Sequence, residues 1–353
     1  MLSEICIVIL NWNGRFYLEK FLPNVIANSG EAKIIVADNA STDDSVAFLK
    51  QHFPAISIVQ NTSNGGFAKG YNDALKQISS KYYLLLNSDI EVTPGWLEPL
   101  YSTISNDSSV IGCQPKILAQ TNKHFFEHAG ASGGFLDRNY YPFCRGRIFE
   151  VIEEDKGQYD YAQEIFWASG ACLLIRSDAF HEHGGFDDDF FAHMEEIDLC
   201  WRIKRNGGKF FVNPNSVVYH VGGGTLDYMS PKKTYLNFRN SLLMITKNHQ
   251  GFLPNKIFYR LCLDGIAGIS FLIKGDYRHT LAVLRAHIDF YKMLPDFLVK
   301  RKKLKTPKHQ FNSNGWYKGS ILWAKYVKKI SCYKGLNLRL FSDQSLGSKS
   351  TIN

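Results

Sequence analysis

Acids and one histidine in this 353-residue chain stand where chemistry could be done. Asp89 closes the apolar run Tyr82-Tyr83-Leu84-Leu85-Leu86-Asn87-Ser88. A run of that length, too short for a free-standing helix and ended by polar residues, reads as a buried strand opening into a crevice. Ligands collect beyond the carboxyl ends of strands in open α/β sheets, so Asp89 is a candidate to hold a metal or a phosphate-bound cation. An ordinary Asn/Ser/Asp turn is the alternative. The densest acidic cluster is FDDDFFAHMEEIDLCWR, Phe186 to Arg202. With a helix beginning near Glu195, Glu195 and Glu196 fall in its first turn, where the positive helix end favours acids. Adjacent carboxylates flanked by Phe190, Phe191 and Trp201 can keep one member poised as a general base; a solvated acidic helix start is the other reading. Asp198 and Arg202, at i and i+4, can simply pair. His220 closes the run Val217-Val218-Tyr219 beside Val221-Gly222-Gly223-Gly224-Thr225, placed either as a metal ligand or as a structural histidine.

These groups need a scaffold, and the pattern around them supplies one. Ile5 to Leu10 is a strand-like run ending in Asn11-Trp12-Asn13-Gly14, followed by helix-like sequence from about Arg15 to Asn28. Lys33 to Ala37 repeats the unit, ending in Asp38, with Ser41 or Thr42 able to cap a helix to about His52. Ile56 to Gln60 is a third strand, and Asn64-Gly65-Gly66 opens a helix carrying Phe67, Tyr71 and Ala74. Strands alternating with helices predict an α/β fold with a doubly wound, mostly parallel sheet. The G-x-x-x-x-G-K-[ST] and G-x-G-x-x-G spacings are absent, which counts against kinases, P-loop ATPases and dinucleotide dehydrogenases. Val110 to Lys116 reads as another strand. Residues from about Gln120 to Glu164 are irregular in pattern and read as a ligand-shaping insertion. At Trp167-Ala168-Ser169-Gly170 a small-residue turn beneath an aromatic either floors a sugar site or merely starts the strand to Arg176. Lys209–Val212 and Val217–His220 read as two further strand-like runs.

Composition narrows the class. Net charge is +8, but from Gln250 onward about 19 Lys and Arg face 5 Asp and Glu, so the front is mildly acidic and the tail strongly basic. Seven widely spaced cysteines without a C-x-x-C pair suggest reduced thiols in a cytosolic compartment and no zinc site. The first residues lead directly into a strand with no secretory pattern. We expect a catalytic domain over 1–248 and a helical, basic region over 249–353. The apolar stretch around Ile257 to Ile273 is too short to span a bilayer and contains Asp264. With the run Lys300-Arg301-Lys302-Lys303-Leu304-Lys305 it suits an anionic membrane surface, or else packs on the catalytic domain with a solvated basic end. No nucleic-acid module surrounds the charges.

The ordered motifs VILNWNG, VADNASTDDS, NTSNGGFAKGYN, LLLNSD, WASGACLLIR, FDDDFFAHMEEIDLCWR, YHVGGGT and the pair Arg239-Asn240 resemble family-2 glycosyltransferases of the GT-A fold. The likeness is to the bacterial rhamnosyl- and galactofuranosyltransferase branch and covers roughly Ile5 to Asn240. The resemblance implies an inverting, metal-dependent transfer of one sugar from a UDP- or dTDP-linked donor to a cell-surface glycan or lipid-linked precursor. It implies that Asn11 and Asn13 lie along the nucleotide, that Asp38 reads the base, and that Asn64, Gly66, Phe67 and Asn72 surround base and ribose. Asn87-Ser88-Asp89 stands at the family's D-x-D position, so Asp89, helped by His220, would bind Mg²⁺ or Mn²⁺. Glu196 falls on the general-base position, with Glu195 and Asp198 as alternatives. Trp167, Ser169, Gly170, Trp201 and Arg202 are candidates for the acceptor and sugar side. Two departures stand out: Asn87 replaces the first aspartate of D-x-D, and Glu196 replaces the more usual Asp. The alternatives are a sugar-nucleotide nucleotidyltransferase, disfavoured by the loop Asn11-Trp12-Asn13-Gly14, and a silent sugar-binding scaffold. The expected location is cytoplasmic, peripheral on the inner membrane face.

Overall fold

The computed structural model describes residues 1–222, 230–304 and 310–342. Four apolar strands, β1 (Ile5–Asn11), β2 (Lys33–Asp38), β3 (Ser57–Gln60) and β4 (Tyr82–Asn87), pair in parallel in the order β3-β2-β1-β4. Helices α1 (Arg15–Asn28), α2 (Ser45–His52) and α3 (Gly66–Leu75) make the crossovers. Register brings Asn11 beside Asp38, and Asp38 beside Gln60, so the polar strand ends form one rim. Both faces of β4 are covered, which is why Tyr82 to Leu86 is a continuous buried run.

Beyond the rim the chain adds β5 (Ile90–Val92), α4 (Leu97–Asn106) and β6 (Val110–Ala119). The region from 120 to 164, expected to be irregular, instead holds β7 (Gly134–Asp137), β8 (Pro142–Cys144), β9 (Arg147–Ile148), β10 (Val151–Ile152) and β11 (Gln163–Ile165). The first four are too short and too interrupted by turns to show a period of two in sequence, and their ladders are with one another and with the tail, β7 adding a single bridge from Gly134 to Trp167. Next come β12 (Cys172–Arg176), α5 (Ser177–Glu182), α6 (Glu195–Arg205) and β13 (Lys209–His220). The two runs read at 209–212 and 217–220 are one strand, its register against β6 shifted between Asn213 and Val217. The large sheet runs β11-β13-β6-β12-β4-β1-β2-β3, with β5 on β13; β12 is antiparallel to both its neighbours.

The last part comprises α7 (Pro231–Asn248), α8 (Leu253–Ile273), α9 (Tyr277–Lys303) and β14 (Trp316–Tyr317). Helix α9 packs along α7, burying Ala282, Val283, Ala286, Phe290 and Phe297. Strand β14 completes the small sheet β10-β9-β8-β7-β14. The tail is therefore helical up to Lys303 and then returns as a strand beside β7. Part of the basic run is not solvated: Lys300 pairs with Asp187 at 2.5 Å and Asp189 at 2.7 Å, and Arg301 donates to the Thr246 carbonyl at 3.1 Å. Lys305 lies outside the described residues. All seven cysteines are free. Among the described residues no helix is long and apolar enough to cross a membrane.

Candidate active site

A cleft of about 290 Å³ opens at the carboxyl ends of β1 and β4. One wall is an asparagine lattice that ties strand ends together. Asn39 Nδ2 donates to Asn64 Oδ1 and to the Gly66 carbonyl, both at 3.0 Å, while Asn61 donates back to Asn39 Oδ1 at 3.0 Å. Asn64 Oδ1 also accepts from Gly66 N at 2.9 Å. Gly66 has φ +79°, and a Cβ there would stand 2.4 Å from the Phe191 carbonyl, so this turn requires glycine. Phe67 and Gly170 meet across the floor, where a Cβ on Gly170 would lie 2.9 Å from the Phe67 ring.

A second wall carries the end of β4 and the end of β13. Asp89 Oδ1 is 3.1 Å from His220 Nε2, and Asn87 Nδ2 is 3.4 Å from the same nitrogen. On the far side of the ring, His220 Nδ1 is 3.4 Å from Glu127 Oε2. Burial opposes a charge on His220, but Asp89 and Glu127 outweigh it and raise the imidazole to about 10. A histidine whose outer nitrogen faces a carboxylate has its tautomer and ring orientation fixed, the usual arrangement behind a metal-ligating histidine. Among the described residues there is no group of three or more His, Cys, Asp or Glu that could hold a metal. Asp89 and His220 still fit a divalent cation, which would displace the proton that His220 Nε2 shares with Asp89 and complete its shell with substrate phosphates.

The third wall is the first turn of α6. Glu195 is buried and Glu196 keeps part of its surface in the cleft; one oxygen of each, Oε2, has no hydrogen-bond partner. Burial pushes Glu196 up to about 7, although backbone N–H groups of its own turn hold it back. Burial, and after it the neighbouring Glu196, push the Glu195 carboxyl well above its ordinary value. Both carboxyls are raised, and Glu196, the one that keeps surface in the cleft, is poised near neutral pH as a general base requires. Lys232 and Lys233, in the first turn of α7, line the same cleft.

A sequence profile described as "Glycosyl transferase family 2" matches residues 6–184, half of the chain. The chain belongs to glycosyl transferase family 2. Its relatives in this family include the N-acetylglucosaminyl-diphospho-decaprenol L-rhamnosyltransferase of Mycobacterium tuberculosis, 22% identical over 286 residues, covering 71% of this chain and 87% of that one. Among solved structures, GalNAc-T7 with UDP, GalNAc and Mn²⁺ superposes with a TM-score of 0.53 at 17% identity, covering 69% of this chain and 47% of that one. TarS 1–349 of S. aureus in complex with UDP-GlcNAc gives 0.52 at 15% identity, covering 84% and 83%. The fold is the GT-A glycosyltransferase fold, and the chain is a glycosyltransferase of the hexosyltransferase class. Family-2 membership sets aside the nucleotidyltransferase and silent-scaffold alternatives.

Of the family-2 positions named from sequence, the cleft gathers Asn64, Gly66, Phe67, Asn87, Ser88, Asp89, Ser169, Gly170, Glu195, Glu196 and His220. Asn11 and Asp38 are buried behind this lining, Asn11 Nδ2 donating to Asp38 Oδ1 at 3.3 Å, whereas Asn13 is exposed and its Oδ1 accepts from Thr42 N at 2.7 Å. Asn72 instead holds Phe186 and Asp188 in place. Trp167 packs on Gly134 and donates to the Phe135 carbonyl at 3.0 Å, away from the floor. Trp201 stacks among Tyr140, Phe166 and Trp316. Asp198 does not reach the cleft. It is fully buried against Arg202 at 2.8 Å, Lys247 at 2.9 Å and Asn248 at 2.7 Å; burial raises its carboxyl, but the two cations outweigh this and hold it low. Gly223, Gly224 and Thr225 of the glycine loop lie outside the described residues.

Sequence reasoning missed Glu127, His193, Lys232 and Lys233. For Glu127 there was no local signal, since its partner lies on another strand far along the chain. Ser230-Pro231 before Lys232 is a helix-start signal that could have drawn attention to the lysines.

Proposed function

We propose that this glycosyltransferase moves a single sugar, with inversion, from a UDP- or dTDP-linked donor to a hydroxyl of a lipid-linked or cell-surface glycan precursor. The observation that carries the reading is the facing of Glu196, poised near neutrality, against the Asp89–His220 pair in one cleft. Glu196 takes the proton of the acceptor hydroxyl as its oxygen attacks the anomeric carbon from the side opposite the diphosphate. The bond from that carbon to the phosphate oxygen breaks, and the nucleoside diphosphate leaves. Mg²⁺ or Mn²⁺ held by Asp89 and His220 would act as a Lewis acid on the leaving charge. Lys232 and Lys233 add positive charge on the same cleft. Solved relatives of this fold bind UDP with Mn²⁺ or UDP-GlcNAc, and the mycobacterial relative is a rhamnosyltransferase acting on a decaprenol-linked sugar, which supports both the donor class and the acceptor class. A panel of UDP-, dTDP- and GDP-sugars with a lipid-linked acceptor, read by mass spectrometry, identifies the donor. Proton NMR of the new linkage then tests the mechanism: an inverted anomeric centre is expected, and retention would overturn it.

We further propose that the α8–α9 hairpin seats the enzyme on an anionic membrane surface at the cytoplasmic face. Phe258, Ile266, Ile269 and Ile273 of α8 are 70%, 64%, 60% and 81% exposed and recur on one helix face. The charged residues between Lys256 and Lys274, Arg260 and Asp264, are buried and paired at 2.8 Å, so no charge interrupts that face. On α9, exposed Leu281, Leu284, Ile288 and Tyr291 run beside Arg278, Arg285 and Lys292, which recur every seven residues. An apolar stripe bordered by cations suits anionic headgroups. The double substitution Ile266→Asp/Ile269→Asp should reduce co-sedimentation with anionic vesicles at least tenfold, since each buried Ile is worth about 2 kcal/mol. Transfer to a short soluble acceptor should not change. Undiminished vesicle binding would refute the assignment.

A further inference from the structure

The loop that presents the glutamate pair follows an unfavourable course. Phe191, His193 and Met194 have φ of 65°, 70° and 74°, left-handed backbone that non-glycine residues hold only when the surroundings impose it. Met194 is the N-cap of α6 and offers no side-chain cap, so the start of that helix is fixed by the loop before it.

The imposing group comes from α7. Asn240 is fully buried, and its Nδ2 donates to the carbonyls of Phe190 at 2.9 Å, Ala192 at 2.9 Å and His193 at 2.8 Å. Two N–H bonds thus serve three converging carbonyls, an arrangement only an amide or similar donor can satisfy. Arg239 orients that amide, its Nε donating to Asn240 Oδ1 at 2.9 Å. Arg239 Nη2 also reaches the carbonyls of Asp189 at 3.0 Å and Phe190 at 3.2 Å. Opposite, the Phe191 carbonyl accepts from Ala68 N at 3.2 Å, so the loop is gripped between α7 and α3.

We infer that Asn240, oriented by Arg239, is the positioning residue of the glutamate pair: it holds residues 190–193 in the course that aims Glu196 into the cleft. The inference rests on Glu196 being the base. Misplacing a reacting group by about 1 Å can cost about 10²-fold in rate. The isosteric Asn240→Asp replaces the donors with a carboxylate facing three carbonyls, releasing the loop without opening a cavity.

The test is steady-state transfer by the full chain with the UDP- or dTDP-sugar found active in the donor panel. Asn240→Asp should lower kcat about 10²-fold, leave donor KM within about twofold, and leave UDP or dTDP affinity by calorimetry unchanged. In a Glu196→Gln background the same substitution should change the residual rate by less than about threefold, because the positioned group is gone. Arg239→Met, at a partly exposed site, is the second variant and should lower kcat alone, by about tenfold. Its result decides the matter if Asn240→Asp does not fold. Wild-type kcat in both variants, or equal losses from Asn240→Asp in both backgrounds, would overturn the inference. Full activity of Glu196→Gln would instead remove the base assignment beneath it.

Discussion

Glu196→Gln is expected to lower transfer by about 10²–10⁴-fold, the range general-base catalysis supplies, while nucleotide affinity stays within about twofold. The amide matches the carboxylate in shape, so packing in the first turn of α6 is retained and only the proton acceptor is lost. The wild-type rate should rise with pH through about 7, because burial raises the Glu196 carboxyl to about 7 and only the ionised form can accept a proton. Stability should move the other way. The folded pKa lies above the ordinary 4.5, so the folded state holds the proton more tightly, and stability is lost as pH climbs from about 4.5 through about 7. Glu196→Gln removes that dependence, and its Tm should equal or exceed the wild-type value at pH 8. A variant that is inactive and destabilised at pH 8 would point to a structural role instead.

Asp89→Asn should reduce transfer by at least about 10²-fold, since Lewis-acid stabilisation of a leaving diphosphate is worth several kcal/mol. Calorimetry separates this from a folding effect. The wild-type chain should bind UDP or dTDP more tightly with Mn²⁺ than without it, whereas the variant should show one affinity in both conditions. The metal-free affinity should not fall. A variant that retains the Mn²⁺ increment would show that the cation is held elsewhere.

Several structural features follow from short-range sequence. Tyr82 to Leu86 could be read as a fully covered strand because every residue is apolar, and the strand does lie under both layers. A helix taken to begin near Glu195 put Glu195 and Glu196 in its first turn, and α6 begins at Glu195. The small sheet was not readable in that way. Strands of two to four residues bury side chains against one another and against a segment, Trp316–Tyr317, that sequence assigned only to the tail. Lys300 likewise read as part of a basic run facing either an anionic membrane surface or solvent, yet it meets Asp187 and Asp189.

The amino-acid sequence alone determined the parallel half of the sheet, the polar residues at its rim and the places of Asp89 and His220 at strand ends, because hydrophobic period and turn chemistry act within about ten residues, whereas Glu196 was singled out by the resemblance to family 2. Only the tertiary structure decided which of the neighbouring acids faces the cleft. Asp198, one helical turn from Glu195, is removed from chemistry by Arg202, Lys247 and Asn248, two of which arrive from α7. Glu127 is set behind His220, and Asn240 beneath the loop before Glu195, by packing between elements far apart in the chain. No local pattern carries such pairings, since their partners are brought together only when sheet and helices pack.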